Sequence, residues 1–316
     1  MSAVDVIDGL PPESATATPL RSQLSLLLAV VAGSMAVFFG NYVFFVRTTL
    51  GQELDKAALV GAEHETQGVI TEAWDLLDII SVASLALACV VIGMVALSRK
   101  RVALAFAALT TIAVANVATQ LLKRVALERP DLIGAGDVNS LPSGHATVAT
   151  TVAVGLVMVT APRWRSVAAL VTVVFPIGVA VAVVTASWHR PSDSIASFCI
   201  VLGVAAASLT AVIAVFGFDA GERPPRWVRR SALAFAGAAI VILGALSLVG
   251  LWAVRNRLRD GPLDARWETM AYTASTAGIA AGALAVMLCL VLALRGVAVG
   301  HGGWNRPADD ATALDR

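Results

Sequence analysis

Apolar residues gather into eight long runs, at 24–46, 79–97, 102–122, 146–161, 167–187, 195–218, 232–254 and 270–294. A helix needs about 20 apolar residues to cross the hydrocarbon of a bilayer, and each run meets or approaches that length. The fourth is short and borrows residues from its N-terminal flank. The stretch before the first run is polar and rich in Pro, Ser and Thr, which predicts a disordered cytoplasmic tail over 1–23. The first run follows the single Arg21, is too long for a signal-peptide core and lacks a small-residue cleavage site after it, so it reads as a retained span. Residues 295–316 form a polar C-terminal tail.

Segment 47–78, between the first two runs, has a different texture. Leu50, Leu54, Ala57 and Ala58 recur at helical spacing, with Glu53, Asp55 and Lys56 between them. That pattern predicts an amphipathic helix lying in the membrane interface.

Composition agrees with the pattern. Of 316 residues, 58% are hydrophobic and only 14% charged, and mean hydropathy is +0.79. A soluble domain carries about a quarter charged residues, so the chain falls in the membrane class. Net charge is +1 with no basic stripe, which excludes a nucleic-acid partner. Arg outnumbers Lys 20 to 3 and Ala and Val dominate the apolar runs, a skew that points to a GC-rich bacterial genome. Cys89, Cys199 and Cys289 each stand alone in an apolar run and read as small apolar fillers rather than as disulfide or metal partners. Trp74, Trp164, Trp188, Trp227, Trp252 and Trp267 lie near run ends, where tryptophans anchor helices at the interface. His64 and His301 lie in polar stretches and read as solvated.

The Lys and Arg distribution sets the orientation. With eight spans and the N-terminus inside, 13 basic residues fall inside and 10 outside. The clusters at 99–101 and 223–230 favour this assignment and 255–266 opposes it.

Three short polar stretches break the apolar pattern at run ends, all on the outer face in this topology: Lys123–Pro130 (KRVALERP), Pro142–His145 (PSGH) and His189–Asp193 (HRPSD). Two of the chain's four histidines lie in them. Ionisable groups at membrane depth mark functional sites. Helix starts facing one aqueous pocket favour anions, through free N–H groups and the helix dipole. Pro191 and Ser192 suit a first helical turn, and Ser143 and Gly144 suit a helix start with close backbone approach. Two histidines, several cations and two helix starts describe a phosphate-transfer site. No Cys, His and carboxylate cluster at metal-ligand spacing accompanies them.

These residues resemble the phosphatidic acid phosphatase type 2 superfamily, which includes vanadium haloperoxidases, with the pattern K-x6-R-P, P-S-G-H and S-R-x5-H-x3-D. The second motif and the H-x3-D part of the third are met in full by residues 142–145 and 189–193, and the resemblance covers roughly residues 50–215. The resemblance implies a metal-independent hydrolase without cofactor. In it His189 takes the phosphoryl group, Asp193 orients the His189 imidazole, and His145 protonates the leaving lipid oxygen. Lys123, Arg129, Ser143 and the Gly144 backbone then hold the phosphate oxygens. Two departures stand out. Lys123 is six residues before Arg129 where the family has seven, with Leu122 at the usual lysine position, and six residues on an ideal helix do not return to the same face. The Ser-Arg pair of the third motif is replaced by Ala182 and Val183, so one phosphate-binding cation is missing; Arg190 is the expected substitute and Arg124 the alternative.

The expected architecture is all-α and membrane-integral. A six-span phosphatidic acid phosphatase type 2-like core covers 24–218, including the interfacial segment 47–78, and two further spans cover 219–294. The expected function is hydrolysis of a lipid phosphate or pyrophosphate, on a polyprenyl carrier or a glycerolipid, through a phosphohistidine at the outer face of the plasma membrane. The rival readings are a lipid phosphotransferase and a catalytically inactive lipid-binding or transport homologue.

Overall fold

The computed structural model describes residues 17–136, 138–217, 219–220, 225–295 and 297–298. Most of both polar tails, and His301 with them, lies outside the described residues. The helices are α1 (Ala17–Asn41), which runs into a π-helical turn over Tyr42–Val46, α2 (Thr49–Ala62), α3 (Gln67–Asp78), α4 (Val82–Ser98) and α5 (Val102–Leu121), which runs into a second π-helical turn over Leu122–Ala126. They continue as α6 (Gly144–Val159), α7 (Arg165–Thr172), α8 (Val174–Thr185), α9 (Pro191–Phe216), α10 (Arg226–Arg259) and α11 (Ala265–Ala293). The sole strand pairing among the described residues is two residues long, Asp219–Ala220 against Val297–Ala298.

Each expected apolar run is helical over most of its described length. Among the described residues, six helices are long and apolar enough to cross a membrane: Leu20–Val46, Val102–Ala126, Arg165–Thr185, Pro191–Phe216, Arg226–Arg259 and Ala265–Ala293. The run at 79–97 becomes α4, which forms with α3 a pair bent by 59°, and the short fourth run is the 16-residue α6. The protein is thus an all-helical multi-pass membrane protein, with α10 and α11 following the α1–α9 bundle.

Local chemistry sets the helix starts. Thr48 accepts a hydrogen bond from the Gly51 N–H at 3.0 Å, Ser81 and Ser84 form a reciprocal capping box, and Asp264 accepts from the Trp267 N–H at 3.2 Å. Small residues line the buried faces of α5, α6 and α9, as expected where close packing rather than water exclusion holds helices together.

The structure shows what covers the apolar face within 47–78. Helix α2 is amphipathic, but Leu54, Ala57 and Ala58 pack against Val254 of α10 and Ala271 of α11, together with the partly buried Trp267 and Met270. Its apolar face therefore meets protein instead of lipid. Gly61 permits this contact: a Cβ there would stand 2.0 Å from the Glu268 carbonyl oxygen of α11. At the other end of α2 a Cβ on Gly51 would meet the Phe44 carbonyl at the same distance. Both glycines are places where backbone approaches backbone. Amphipathicity fixes which face is apolar and does not say what covers it.

Candidate active site

The three polar stretches converge at one end of the bundle, where α5 ends and α6 and α9 begin. Ser143 is the N-cap of α6, its hydroxyl accepting from the Ala146 N–H at 3.4 Å. Pro191 opens α9, and in its first turn the Asp193 carboxylate accepts the Arg190 N–H at 3.0 Å. The two starts are tied together. The Ser143 N–H donates to the Asp193 carbonyl at 3.1 Å. The Ser197 hydroxyl reaches both the Ser143 carbonyl at 2.8 Å and the Asp193 carbonyl at 2.9 Å. Residues far apart in sequence are held in fixed register by hydrogen bonds to backbone carbonyls, which makes for a preorganised site.

His189 and Asp193 are paired through the imidazole Nδ1 and carboxylate Oδ2 at 3.0 Å, with Asp193 fully buried. The same Oδ2 accepts the Ser140 hydroxyl at 2.6 Å. An ionised carboxylate is acceptor-only, so the pairing makes Nδ1 the protonated nitrogen and leaves the Nε2 lone pair available. Arg190 is also buried, at 6% exposure, and its Nη1 donates to the Ser140 hydroxyl at 2.8 Å. A continuous chain therefore runs from Arg190 through Ser140 and Asp193 to His189. Arg124, the alternative cation, is exposed.

His145, half-buried in the first turn of α6, interacts electrostatically with His189 and Lys123. Its ring lies 5.4 Å from that of Trp188, which in turn is 6.4 Å from Trp74. Trp188 thus stands beside His145, a contact the interface-anchor reading did not include. Lys123 sits within the π-helical turn, close enough to Asp193 to interact with it. The π turn answers the register problem: the Leu127 N–H bonds the Leu122 carbonyl five residues back at 2.9 Å, so the ideal-helix argument does not apply between Lys123 and Arg129. Gly144 keeps its α-carbon face open, with the Gln120 amide nitrogen 3.4 Å from where a Cβ would stand. In place of the family arginine, Val183 is fully buried in the apolar core.

Several residues missing from the motif reading hold this assembly. Asn139, in the loop before α6, donates to the carbonyls of Lys123, Leu127 and Leu141 at 3.1–3.2 Å. On α2, the Gln52 amide nitrogen donates to the Val46 carbonyl at 2.8 Å and the Pro130 carbonyl at 2.7 Å. One turn on, Asp55 accepts from the Ser192 hydroxyl at 2.5 Å and the Ser192 N–H at 3.3 Å. Its Oδ2 lies 3.9 Å from Nη1 of Arg129, a side chain that is almost wholly buried. Burial pushes the Asp55 carboxyl up to about 7 and the nearby Asp193 charge adds to this, against the opposing pull of Ser192, Arg129 and Arg190. The Asn41 amide donates to the Ser192 carbonyl at 3.0 Å, and the Tyr42 hydroxyl to the Glu128 carbonyl at 2.9 Å. The available signal was a Gln and an Asp, three residues apart and so on one face of the amphipathic α2. On the far side of α2, His64 is exposed and pairs with Glu268 at 2.8 Å.

Among the described residues, no three His, Cys, Asp or Glu side chains converge as a metal site would require. No curated protein and no solved structure matches the chain. The family model of the PAP2 superfamily matches residues 102–216, from the first residue of α5 to the last of α9, the segment that carries all three motifs.

Proposed function

We propose that the protein is a membrane lipid phosphatase that works through a phosphohistidine and without a metal ion. The observation that carries this reading is the His189–Asp193 pair, buried where two helix N-termini meet and linked through Ser140 to Arg190. In the first step the Nε2 lone pair of His189 attacks phosphorus. The bond from phosphorus to the lipid oxygen breaks, and a protonated His145 delivers its proton to that oxygen. In the second step His145, now neutral, takes a proton from water as the water oxygen attacks phosphorus. The nitrogen–phosphorus bond breaks and inorganic phosphate leaves. Lys123, Arg129, Arg190 and the N–H groups at the start of α6 face the charge that develops on the phosphoryl oxygens. The positive end of each helix dipole adds to that stabilisation.

The substrate is a phosphomonoester or pyrophosphate on a lipid, of polyprenyl or glycerolipid type. The site opens on the outer face in the orientation favoured by the basic residues, 13 inside against 10 outside. Purified protein should release phosphate from such lipids, and His189→Ala should abolish release. In wild type, acid-labile, base-stable phosphate should be trapped on the chain. Full activity in His189→Ala would exclude the mechanism. Added alcohol separates hydrolysis from transfer: an alkyl phosphate formed in place of inorganic phosphate identifies a phosphotransferase.

A further inference from the structure

Asp55 lies outside the family-matched segment, on α2, yet it is 1% exposed and directed at the site. It engages both the N–H and the hydroxyl of Ser192, so two bonds fasten it to the first turn of α9. That turn carries Asp193, and the residues just before it are His189 and Arg190. The other neighbour of the carboxylate is Arg129, whose chain position is fixed from the same helix by Gln52 holding the Pro130 carbonyl. Gln52 and Asp55 are three residues apart and so share a face of α2. One rigid helical turn thus grips both the segment bearing the attacking histidine and the segment bearing a phosphate-clamping arginine.

A carboxylate buried this deeply costs free energy unless it is paired and hydrogen-bonded. Asp193, a second carboxylate, is also near enough to oppose its charge. An apolar residue or an asparagine would pack α2 with less penalty, so packing alone gives no reason for an acid here. The charged groups facing Asp55 are Arg129 from the connector after α5 and Arg190 and Asp193 from α9. On α11, packed along α2, Glu268 is engaged by His64.

We propose that Asp55 is a positioning residue of this site: by fastening Ser192 and standing beside Arg129, it sets the separation between the histidine that attacks and the arginine that clamps the phosphoryl group. The inference rests on the phosphatase reading. Asp55 touches no substrate in this account and acts through Ser192 and Arg129.

The test compares wild type, Asp55→Asn, Ser192→Ala and His189→Ala as purified full-length proteins. The readouts are turnover of a lipid phosphate, vanadate affinity by thermal shift, and the pH profile. Asp55→Asn keeps the size of the side chain and removes its charge. It should stay folded and lose about 10-fold or more in kcat, because small misplacements of reacting groups are costly. Vanadate affinity should fall in parallel, and activity should no longer decline on the acid side where Asp55 gains its proton. Ser192→Ala, which loses one of the two bonds, should fall between Asp55→Asn and wild type. A merely structural role would lower thermal stability but leave kcat per folded molecule and vanadate affinity within twofold of wild type, and that result overturns the proposal. If wild type binds vanadate without turning over lipid phosphate, the phosphatase reading fails, while weaker vanadate binding by Asp55→Asn still supports positioning. If wild type does neither, both fall.

Discussion

Replacing Arg190 with alanine tests how this site manages without the usual third-motif arginine. The guanidinium is 6% exposed and bonds Ser140, whose hydroxyl bonds the carboxylate that orients His189. Two losses follow from its removal. On the proposed mechanism, the transferring phosphoryl group loses a fixed cation, which typically costs about 10²-fold in turnover, equivalent to about 2.7 kcal/mol of transition-state stabilisation. The fold loses a charge-assisted hydrogen bond at a buried site, worth about 1.5–3 kcal/mol. Turnover of a lipid phosphate should therefore drop about 100-fold per folded molecule, with a measurable fall in melting temperature and weaker inhibition by vanadate. Arg190→Lys keeps the charge but not the planar fork, and should recover only part of the loss. Arg124→Ala, at an exposed position, should behave as wild type. Restoring the family residue with Val183→Arg should not rescue Arg190→Ala, because Val183 is wholly enclosed and a guanidinium there would overpack the core. Arg190→Ala with turnover within threefold of wild type would refute the reasoning and leave the site working with Lys123 and Arg129 alone.

Further outcomes test orientation, metal dependence and pH linkage. A cysteine at Val138, 81% exposed in the loop before α6, should react with an impermeant thiol reagent in intact cells of a cysteine-free background; labelling only after lysis would reverse the topology. Activity should survive EDTA, and complete loss rescued by magnesium or zinc would point to a different chemistry. The Asp55 carboxyl is raised from 3.8 to about 7 in the fold, so the folded state binds the extra proton. Stability should thus decline as pH rises from about 4 through 7, by at most about 4 kcal/mol, and thermal melts of Asp55→Asn should lack that slope.

The spans and the motif segments were legible because each has a one-dimensional signature. About 20 apolar residues announce a span, and PSGH and H-x3-D each gather their residues into one short stretch at a helix start. Arg190 was legible as a candidate through its place beside His189, although its burial was not. What the sequence concealed depends on three-dimensional partners. An apolar face over Leu54, Ala57 and Ala58 looks the same whether lipid or α11 covers it, and the close-approach glycines Gly51 and Gly61 gain meaning only once the neighbouring backbone is known. Ser140 lies outside the family letters, and its role arises from a bond to a residue 53 positions away. The π-helical turn at Leu122–Ala126 broke the ideal geometry on which the Lys123 register objection rested.

The two C-terminal spans also acquire a physical connection to the chemistry. Helix α11 is the principal neighbour of α2 along Gly61, Tyr272 and Ala271, and Val254 of α10 completes the enclosure around Leu54 and Ala58. The Tyr272 hydroxyl also meets Thr185 at 2.8 Å, at the end of α8 just before the turn that presents His189. The family-matched segment therefore contains the motifs without containing everything that holds them. Inward from the second face of α2, Gln52 and Asp55 secure the Arg129–Pro130 and Ser192 backbones. Outward from its first face, the α10–α11 pair holds α2 itself in place. A buried carboxylate such as Asp55 needs this enclosure, since a helix free to lift toward water would hydrate the charge and release Ser192.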